Sequence, residues 1–227
     1  MQLEVLADPD AVARQAAEFI AGEARTTIAE RGRFVLAVSG GHTPWQMLRH
    51  LASEELPWEA IYFAQVDERI APTGHADRNL THLQESLAAQ PRIGPRQILA
   101  MPVEADPLEA AAARYSASLQ SISGVPATID LAHLGLGPDG HTASLVPGDA
   151  VLKVADRDVA LTSLYQGRRR MTLTYPMLNR ARRVLWLVTG SSKREMLPRL
   201  LAGDTAIPAG RVRQDRAIVL ADRDAAG

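Results

Sequence analysis

The loop at residues 135–144, GLGPDGHTAS, carries one carboxylate and one imidazole two residues apart. Asp139 beside His141 is suited to hold the imidazole in one tautomer and to raise its basicity, as a general base near neutral pH requires. A lone histidine is more often a structural hydrogen-bonding group, but a Gly-rich loop with a neighbouring carboxylate favours catalysis. The spacing supplies too few ligands for zinc, so we expect no metal here.

A second segment, residues 39–44 (SGGHTP), has the composition of a phosphate-binding turn. It lies between an apolar strand and a helix, where the adjacent Gly40 and Gly41 let backbone N–H groups approach an anion. Pro44 suits the first helical position, with Thr43 as the N-cap, and the helix dipole favours phosphate. A plain strand-to-helix turn explains the same residues, and neither a P-loop nor a GxGxxG fingerprint is present.

Three further positions offer cations at the ends of predicted strands: Arg69 and Lys193 follow a strand, and Arg170 precedes one. Arg69, in the triplet Asp67-Glu68-Arg69, presents a planar fork suited to phosphate or carboxylate. Asp67 and Glu68 are suited to orient it or to bind sugar hydroxyls, although an isolated charge run at a strand end is more often a solvated surface. Arg170 is the member of a basic run that lies nearest a strand. Lys193, in a Gly-Ser-Ser-Lys segment, is suited to bind phosphate as a point charge at a helix N-terminus.

Apolar runs and helical patterns alternate along the chain and would bring these groups together. The runs include residues 34–39, 61–66, 129–137 and 183–190, and Ala-rich or amphipathic helical patterns separate them. This order predicts a mostly parallel sheet with helices on both faces. Ligands of such sheets bind outside the carboxyl ends of the strands, where the segments 39–43, 67–69, 135–144 and 190–193 fall. His133, inside a predicted strand, is expected to be a buried structural residue.

The composition excludes several other classes of protein. The chain has 227 residues, a net charge of −1 and no cysteine, which rules out disulfides, zinc thiolates, iron–sulfur clusters and thiol nucleophiles. The charge balance argues against nucleic acid or an anionic membrane as a partner. With no signal-peptide pattern and no apolar run long enough for a membrane span, we expect a cytoplasmic protein. Only two of the 25 basic residues are lysines, so Lys193 draws notice.

Taken in order, these segments resemble the 6-phosphogluconolactonase family. Each motif is weak alone, but the ordered set is specific and spans most of the chain. Two positions depart from the family pattern: Arg78-Asn79 stands where Ser-Asn is frequent, and Val146 stands where Phe is usual. Both departures affect only local contacts. The matching segments are residues 39–44, 67–69, 135–145, 170–174 and 190–193.

The resemblance implies one domain over residues 1–227 with a Rossmann-like α/β/α sandwich, a mostly parallel sheet and a relation to glucosamine-6-phosphate deaminase. It implies hydrolysis of 6-phospho-D-glucono-1,5-lactone in the oxidative pentose phosphate pathway, with no cofactor, by a monomer or small homo-oligomer. His141, oriented by Asp139, would be the general base. The implied substrate-binding residues are Ser39, Gly40, Gly41, Thr43, Asp67, Arg69, Gly137, Arg170 and Lys193.

Two alternatives remain open at this stage. An amino-sugar phosphate deaminase/isomerase shares the Asp-Gly-His loop, but its family carries Phe-Asn-Glu-Pro afterwards, where this chain has Ser144-Leu145-Val146-Pro147 and no carboxylate. A sugar-phosphate sensor on the same fold usually accompanies a DNA-binding helical domain, for which we expect no room in this chain. A sensor would also leave the pairing of Asp139 with His141 unexplained.

Overall fold

Seven parallel strands form the central sheet in the computed structural model, which describes residues 1–227. Their spatial order is β1-β10-β9-β6-β2-β3-β5. Because the central strands are covered on both faces, they read as continuous apolar runs. The strands are β1 (Gln2–Leu6), β2 (Phe34–Val38), β3 (Ile61–Gln65), β5 (Ile98–Leu99), β6 (Leu131–Gly135), β9 (Arg183–Val188) and β10 (Ala217–Asp222).

Helices cover both faces of this sheet, as the sequence predicts. One face packs against α1 (Pro9–Arg31), α2 (His42–Leu51) and α3 (Asn79–Leu87). The other packs against α4 (Leu108–Ser123), α5 (Tyr175–Asn179), α6 (Met196–Leu201) and α7 (Arg223–Ala226). Strand β2 shows the alternation, since Phe34 and Leu36 join the first core and Ala37 joins the second. The fold is therefore the expected α/β/α sandwich.

The longest helix has clear start and stop signals. Asp8 caps α1 by accepting a hydrogen bond from the Ala11 amide at 2.9 Å, and Pro9 occupies the first helical position. Gly32 ends the helix in a left-handed conformation, φ 75°, and its amide donates to the Ile28 carbonyl. No helix in the chain is long and apolar enough to cross a membrane.

A second, antiparallel sheet was not predicted from the sequence. It consists of β4 (Asp67–Arg69), β8 (Arg170–Leu173) and β7 (Val159–Leu161), in that order. Residues 67–69 are expected to be a charged segment that follows the strand at 61–66; they instead form β4, which leaves the main sheet after β3 ends at Gln65. The small sheet packs on the α4 side, through Val159, Met171 and Leu173.

The topology changes direction between β2 and β6. From β2 the chain extends the sheet through β3 and β5, and it then returns to the other side of β2 to add β6, β9 and β10. The loops that leave the carboxyl ends of two such strands diverge and open a crevice between them. Residues 39–44 and 135–144 leave β2 and β6 at this point.

Two local predictions were wrong. Helix α2 begins at His42 with Gly41 as its N-cap, so Thr43 lies within the first turn and is not the cap. The Thr43 hydroxyl is hydrogen-bonded to that of Thr189 at 2.9 Å. Lys193 ends a short 3-10 turn, Ser191–Lys193, and α6 begins only at Met196, so Lys193 does not lie at the amino terminus of that helix.

Candidate active site

The crevice between β2 and β6 is fixed by paired hydrogen bonds. The Ser39 amide donates to His133 Nδ1 at 3.2 Å, and the Ser39 hydroxyl donates to the His133 carbonyl at 3.1 Å. His133 is fully buried, and burial lowers the pKa of its imidazole to about 3. The imidazole is therefore neutral and structural, as predicted, and Ser39 is held at the edge of the crevice.

A cavity of roughly 200 Å³ lies above the carboxyl ends of these strands. Most residues singled out from the sequence line it, although they come from distant parts of the chain. Asn79, which matches the family pattern beside the departure at Arg78 and is not among the predicted site residues, also contributes to the wall. The lining consists of Ser39, Gly40, Asp67, Arg69, Asn79, Gly135, Leu136, Gly137, Pro138, His141, Ala143, Arg170 and Lys193.

Three predicted residues do not line the cavity. Gly41 caps α2 with φ 140°, a conformation that L side chains rarely adopt, and it thereby turns the chain into the helix. Thr43 is engaged with Thr189 behind it. Asp139 lies behind His141 and acts on the cavity through that imidazole.

The Asp139 carboxylate holds the imidazole of His141 from behind. Asp139 Oδ1 is 2.5 Å from His141 Nδ1 and also accepts from the His141 amide at 3.2 Å. Burial works against ionisation of Asp139, but the hydrogen bonds and charge of His141 prevail and hold the pKa of the carboxyl below its usual range. An ionised acceptor places the imidazole proton on Nδ1, which leaves the Nε2 lone pair free to accept a proton.

Gly137 makes room for this pair. A Cβ atom added to Gly137 would lie 2.1 Å from His141 Nδ1 and 2.7 Å from Asp139 Oδ1, well inside van der Waals contact. The Gly137 amide also donates to the His141 carbonyl at 2.8 Å, which closes the loop on itself. The residue thus shapes the site by lacking a side chain, a role that the substrate-binding prediction did not specify.

Two arginines face each other across the small sheet. In the antiparallel register, Arg69 lies directly opposite Arg170 and Asp67 lies opposite Thr172, so all four share one face. Burial lowers the pKa of Arg170; Asp67 counteracts this effect, while the neighbouring Arg69 adds to it. Like charges placed directly opposite each other are destabilising unless an anion lies between them. This register favours an anionic ligand at the cavity.

The buried carboxylate of Glu68 links β4 to the amino terminus of α3, next to the two arginines. Glu68 is inaccessible to solvent and accepts hydrogen bonds from the amides of Arg69, Asn79 and Leu80, each at 2.8 Å. Its charge partner is Arg78, with Nε at 3.0 Å. Glu68 therefore caps α3 and does not bind ligand, contrary to one of the sequence interpretations.

Asn79, the first residue of α3, links that helix by hydrogen bonds to two residues of the cavity wall. Its side-chain oxygen accepts from Arg69 Nη1 at 2.6 Å, and its side-chain nitrogen donates to the Asp67 carbonyl at 2.9 Å. Gly40 lies so close that a Cβ there would be 2.1 Å from Asn79 Oδ1. The sequence signal for this role was only a polar residue at the start of a helical pattern.

The remaining ionisable groups of the cavity differ in their surroundings. Asp67 is buried and accepts from the Ser144 hydroxyl at 2.5 Å and from Asn79 Nδ2 at 3.3 Å. Partial burial lowers the pKa of Lys193, and the charge of Asp139 opposes that change. Lys193 and His141 both line the cavity. No group of three or more His, Asp or Glu side chains is arranged to hold a metal ion.

The chain matches proteins of one known family over most of its length. A family model described as glucosamine-6-phosphate isomerases/6-phosphogluconolactonase matches residues 7–220. A Synechocystis 6-phosphogluconolactonase is 37% identical over 205 residues, covering 88% of this chain and 85% of the relative. A Rattus norvegicus 6-phosphogluconolactonase is 34% identical over 222 residues, covering 92% and 86%.

Solved structures show the same fold. The crystal structure of 6-phosphogluconolactonase from Thermotoga maritima superposes with a TM-score of 0.86 at 29% identity, covering 97% of this chain and 98% of that one. A monomeric glucosamine-6-phosphate deaminase has the same TM-score at 22% identity, covering 100% and 99%. The second likeness concerns the fold alone.

Proposed function

We propose that this chain, which belongs to the glucosamine-6-phosphate isomerase/6-phosphogluconolactonase family, hydrolyses 6-phospho-D-glucono-1,5-lactone to 6-phospho-D-gluconate in the oxidative pentose phosphate pathway. The names of relatives at 31–37% identity over most of the chain support this activity. The structural observation that carries the proposal is the His141 imidazole at the cavity wall, with Nδ1 held by Asp139 at 2.5 Å. Because cavity residues come from Ser39 through Lys193, we also propose that residues 1–227 act as one domain.

The chemical steps follow from this imidazole. His141 Nε2 accepts a proton from a water molecule, and that water attacks the lactone carbonyl to form a tetrahedral oxyanion. Asp139 stabilises the imidazolium that forms. Collapse of the oxyanion breaks the bond to the ring oxygen, which takes the proton back from His141. A hydrogen-bond donor or cation at the cavity stabilises the oxyanion in the interval.

Substrate binding depends on the cations and on the turn after β2. Arg69, Arg170 and Lys193 hold the phosphate and the sugar oxygens, and Gly40 lets the backbone approach them. The amino end of α2 adds its dipole on the same side. The phosphate is unchanged by the reaction, so these interactions stabilise ground state and transition state alike and chiefly set KM.

The decisive experiment compares two substrates. Purified protein is given freshly prepared 6-phosphogluconolactone, with acid release followed against the spontaneous rate, and separately glucosamine 6-phosphate, with ammonia release followed. We expect rapid acid release and no ammonia. A lactone rate equal to that in buffer would refute the proposed activity, and ammonia release would assign the chain to the deaminases.

The role of His141 is tested by His141→Ala. We expect turnover to fall by about two to four orders of magnitude, the usual contribution of a general base, with substrate binding retained. Binding is measured by isothermal titration with 6-phosphogluconate, the stable product. Turnover within threefold of the unsubstituted protein would exclude His141 as the general base.

A further inference from the structure

A short hairpin ends directly above the candidate site. The Tyr165 amide donates to the Arg168 carbonyl at 3.0 Å, and the Arg168 amide returns a bond to the Tyr165 carbonyl at 3.2 Å. Between them, Gln166 and Gly167 both have positive φ, 51° and 78°, as a two-residue type I′ turn requires. The second arm leads into β8, which begins at Arg170. The turn therefore places Tyr165 at a defined position next to the cavity.

Tyr165 contacts both the proposed acid–base pair, Asp139 and His141, and the proposed phosphate-binding Arg170. Its hydroxyl donates to Asp139 Oδ2 at 3.3 Å, the carboxylate oxygen that His141 does not use. Its ring meets the His141 imidazole edge-on, with centroids 5.7 Å apart. The Arg170 guanidinium lies over the ring face, 4.9 Å from the centroid.

We propose that Tyr165 is a positioning residue that fixes the Asp139–His141 pair through its hydroxyl and supports Arg170 through its ring. The proposal rests on the proposed lactonase function and adds a residue that the sequence motifs did not single out. A carboxylate held at one oxygen only can rotate about its side-chain bonds, and the hydrogen bond to Oδ2 removes that freedom. The ring adds a second restraint, because an imidazole packed edge-on against it cannot swing toward the hairpin.

The same ring stabilises the arginine on the phosphate side. A guanidinium over an aromatic face gains a cation–π interaction, which strengthens where water is excluded. Arg170 Nη2 also donates to Gln166 Oε1 at 3.1 Å, so the hairpin holds this side chain at two points. Burial and the neighbouring Asp139 raise the pKa of Tyr165, so the phenol stays protonated and remains a donor.

Two substitutions distinguish the contribution of the Tyr165 hydroxyl from that of its ring. Tyr165→Phe keeps the ring and removes only the bond to Asp139, so we expect kcat to fall roughly tenfold with KM within twofold of the unsubstituted protein. Tyr165→Leu removes both, so the same fall in kcat should be joined by a several-fold rise in KM. Leu164→Ala, in the same hairpin but with a side chain that is mostly exposed, is the matched control and should change neither constant.

Proton NMR supplies a readout that does not depend on turnover. The short hydrogen bond between His141 Nδ1 and Asp139 should give a far-downfield imidazole proton, whose resonance should broaden or move upfield in Tyr165→Phe and stay unchanged in Leu164→Ala. The two proposals can fail separately. If the unsubstituted protein does not hydrolyse the lactone but Tyr165→Phe still loses the resonance, the positioning role is upheld and the proposed function is refuted. An unaltered resonance together with unaltered kcat in Tyr165→Phe would overturn the inference about Tyr165. So would a rise in KM in Tyr165→Phe equal to that in Tyr165→Leu.

Discussion

Substitution of Gly137 by alanine tests the active-site geometry without removing any functional group. The added Cβ would lie 2.1 Å from His141 Nδ1, whereas ordinary contact begins near 3.4 Å, so the imidazole must retreat by about 1.3 Å. The same atom would lie 2.7 Å from Asp139 Oδ1, so the carboxylate must also move. A misplacement of about 1 Å at a reacting group costs on the order of 100-fold in rate. We therefore expect kcat of Gly137→Ala to fall about 100-fold, equivalent to roughly 2.7 kcal/mol of barrier.

The fold should tolerate this change better than catalysis does. The colliding atoms belong to the side chains of His141 and Asp139, both partly exposed, and no backbone atom lies among the three nearest neighbours. These side chains can rotate away without disturbing the sheet. Thermal unfolding followed by circular dichroism should therefore show a melting temperature within a few degrees of the unsubstituted protein.

A double-mutant cycle distinguishes displacement of the imidazole from a general effect on the cavity. If Gly137→Ala acts by moving His141, then adding it to His141→Ala should cost little more than His141→Ala alone, because the group to be displaced is already gone. Initial rates of acid release with fresh lactone provide the measurement. Additive losses in the double variant, or a kcat of Gly137→Ala within threefold of the unsubstituted protein, would refute the reasoning.

Three further outcomes follow from the same structure. Arg170→Met should raise KM at least tenfold in steady-state assays and leave kcat within about threefold, because the phosphate does not change during the reaction. Glu68→Gln should lower the free energy of unfolding by about 3 kcal/mol in denaturant titrations, because it breaks a buried ion pair with Arg78. His133 stays neutral in the folded protein down to about pH 3 while the unfolded chain takes up its proton near pH 6.5, so stability should fall as pH falls between these values. His133→Gln should reduce the loss between pH 7 and pH 5 by about 2 kcal/mol.

The central sheet was predictable because its strands are buried on both faces. Runs such as residues 34–38 and 184–188 contain no polar residue, and the helices between them have recognisable ends. The small sheet was not predictable in the same way. Strand β4 has three residues, all charged, and its pairing with β8 joins positions about a hundred residues apart. No local period marks a strand of that length and composition.

The residues of the site were largely predictable from the sequence, but the role of each residue was not. Strand ends pointed to His141, Arg69 and Lys193, since loops at the carboxyl edge of a parallel sheet converge. The opposition of Arg69 to Arg170 required the register of the small sheet. The roles of Asn79 and Tyr165 depend on which side chains they reach, and a sequence pattern carries no information about such distant contacts.

The two candidate activities, lactone hydrolysis and amino-sugar isomerisation, need different numbers of acid–base groups. An aldose–ketose rearrangement moves a proton from one carbon to another and opens a ring, and so needs more than one acid–base group, whereas lactone hydrolysis proceeds with a single imidazole. Asp67, the carboxylate on the cavity wall, is buried and hydrogen-bonded to the Ser144 hydroxyl and to Asn79. Asp139 is held by His141 and Tyr165. The segment after the loop, residues 144–147, adds no further carboxylate. In the proposed mechanism His141 Nε2 takes the proton from the attacking water, and a cavity with this base and a set of cations matches hydrolysis of an anionic lactone better than isomerisation of an amino sugar.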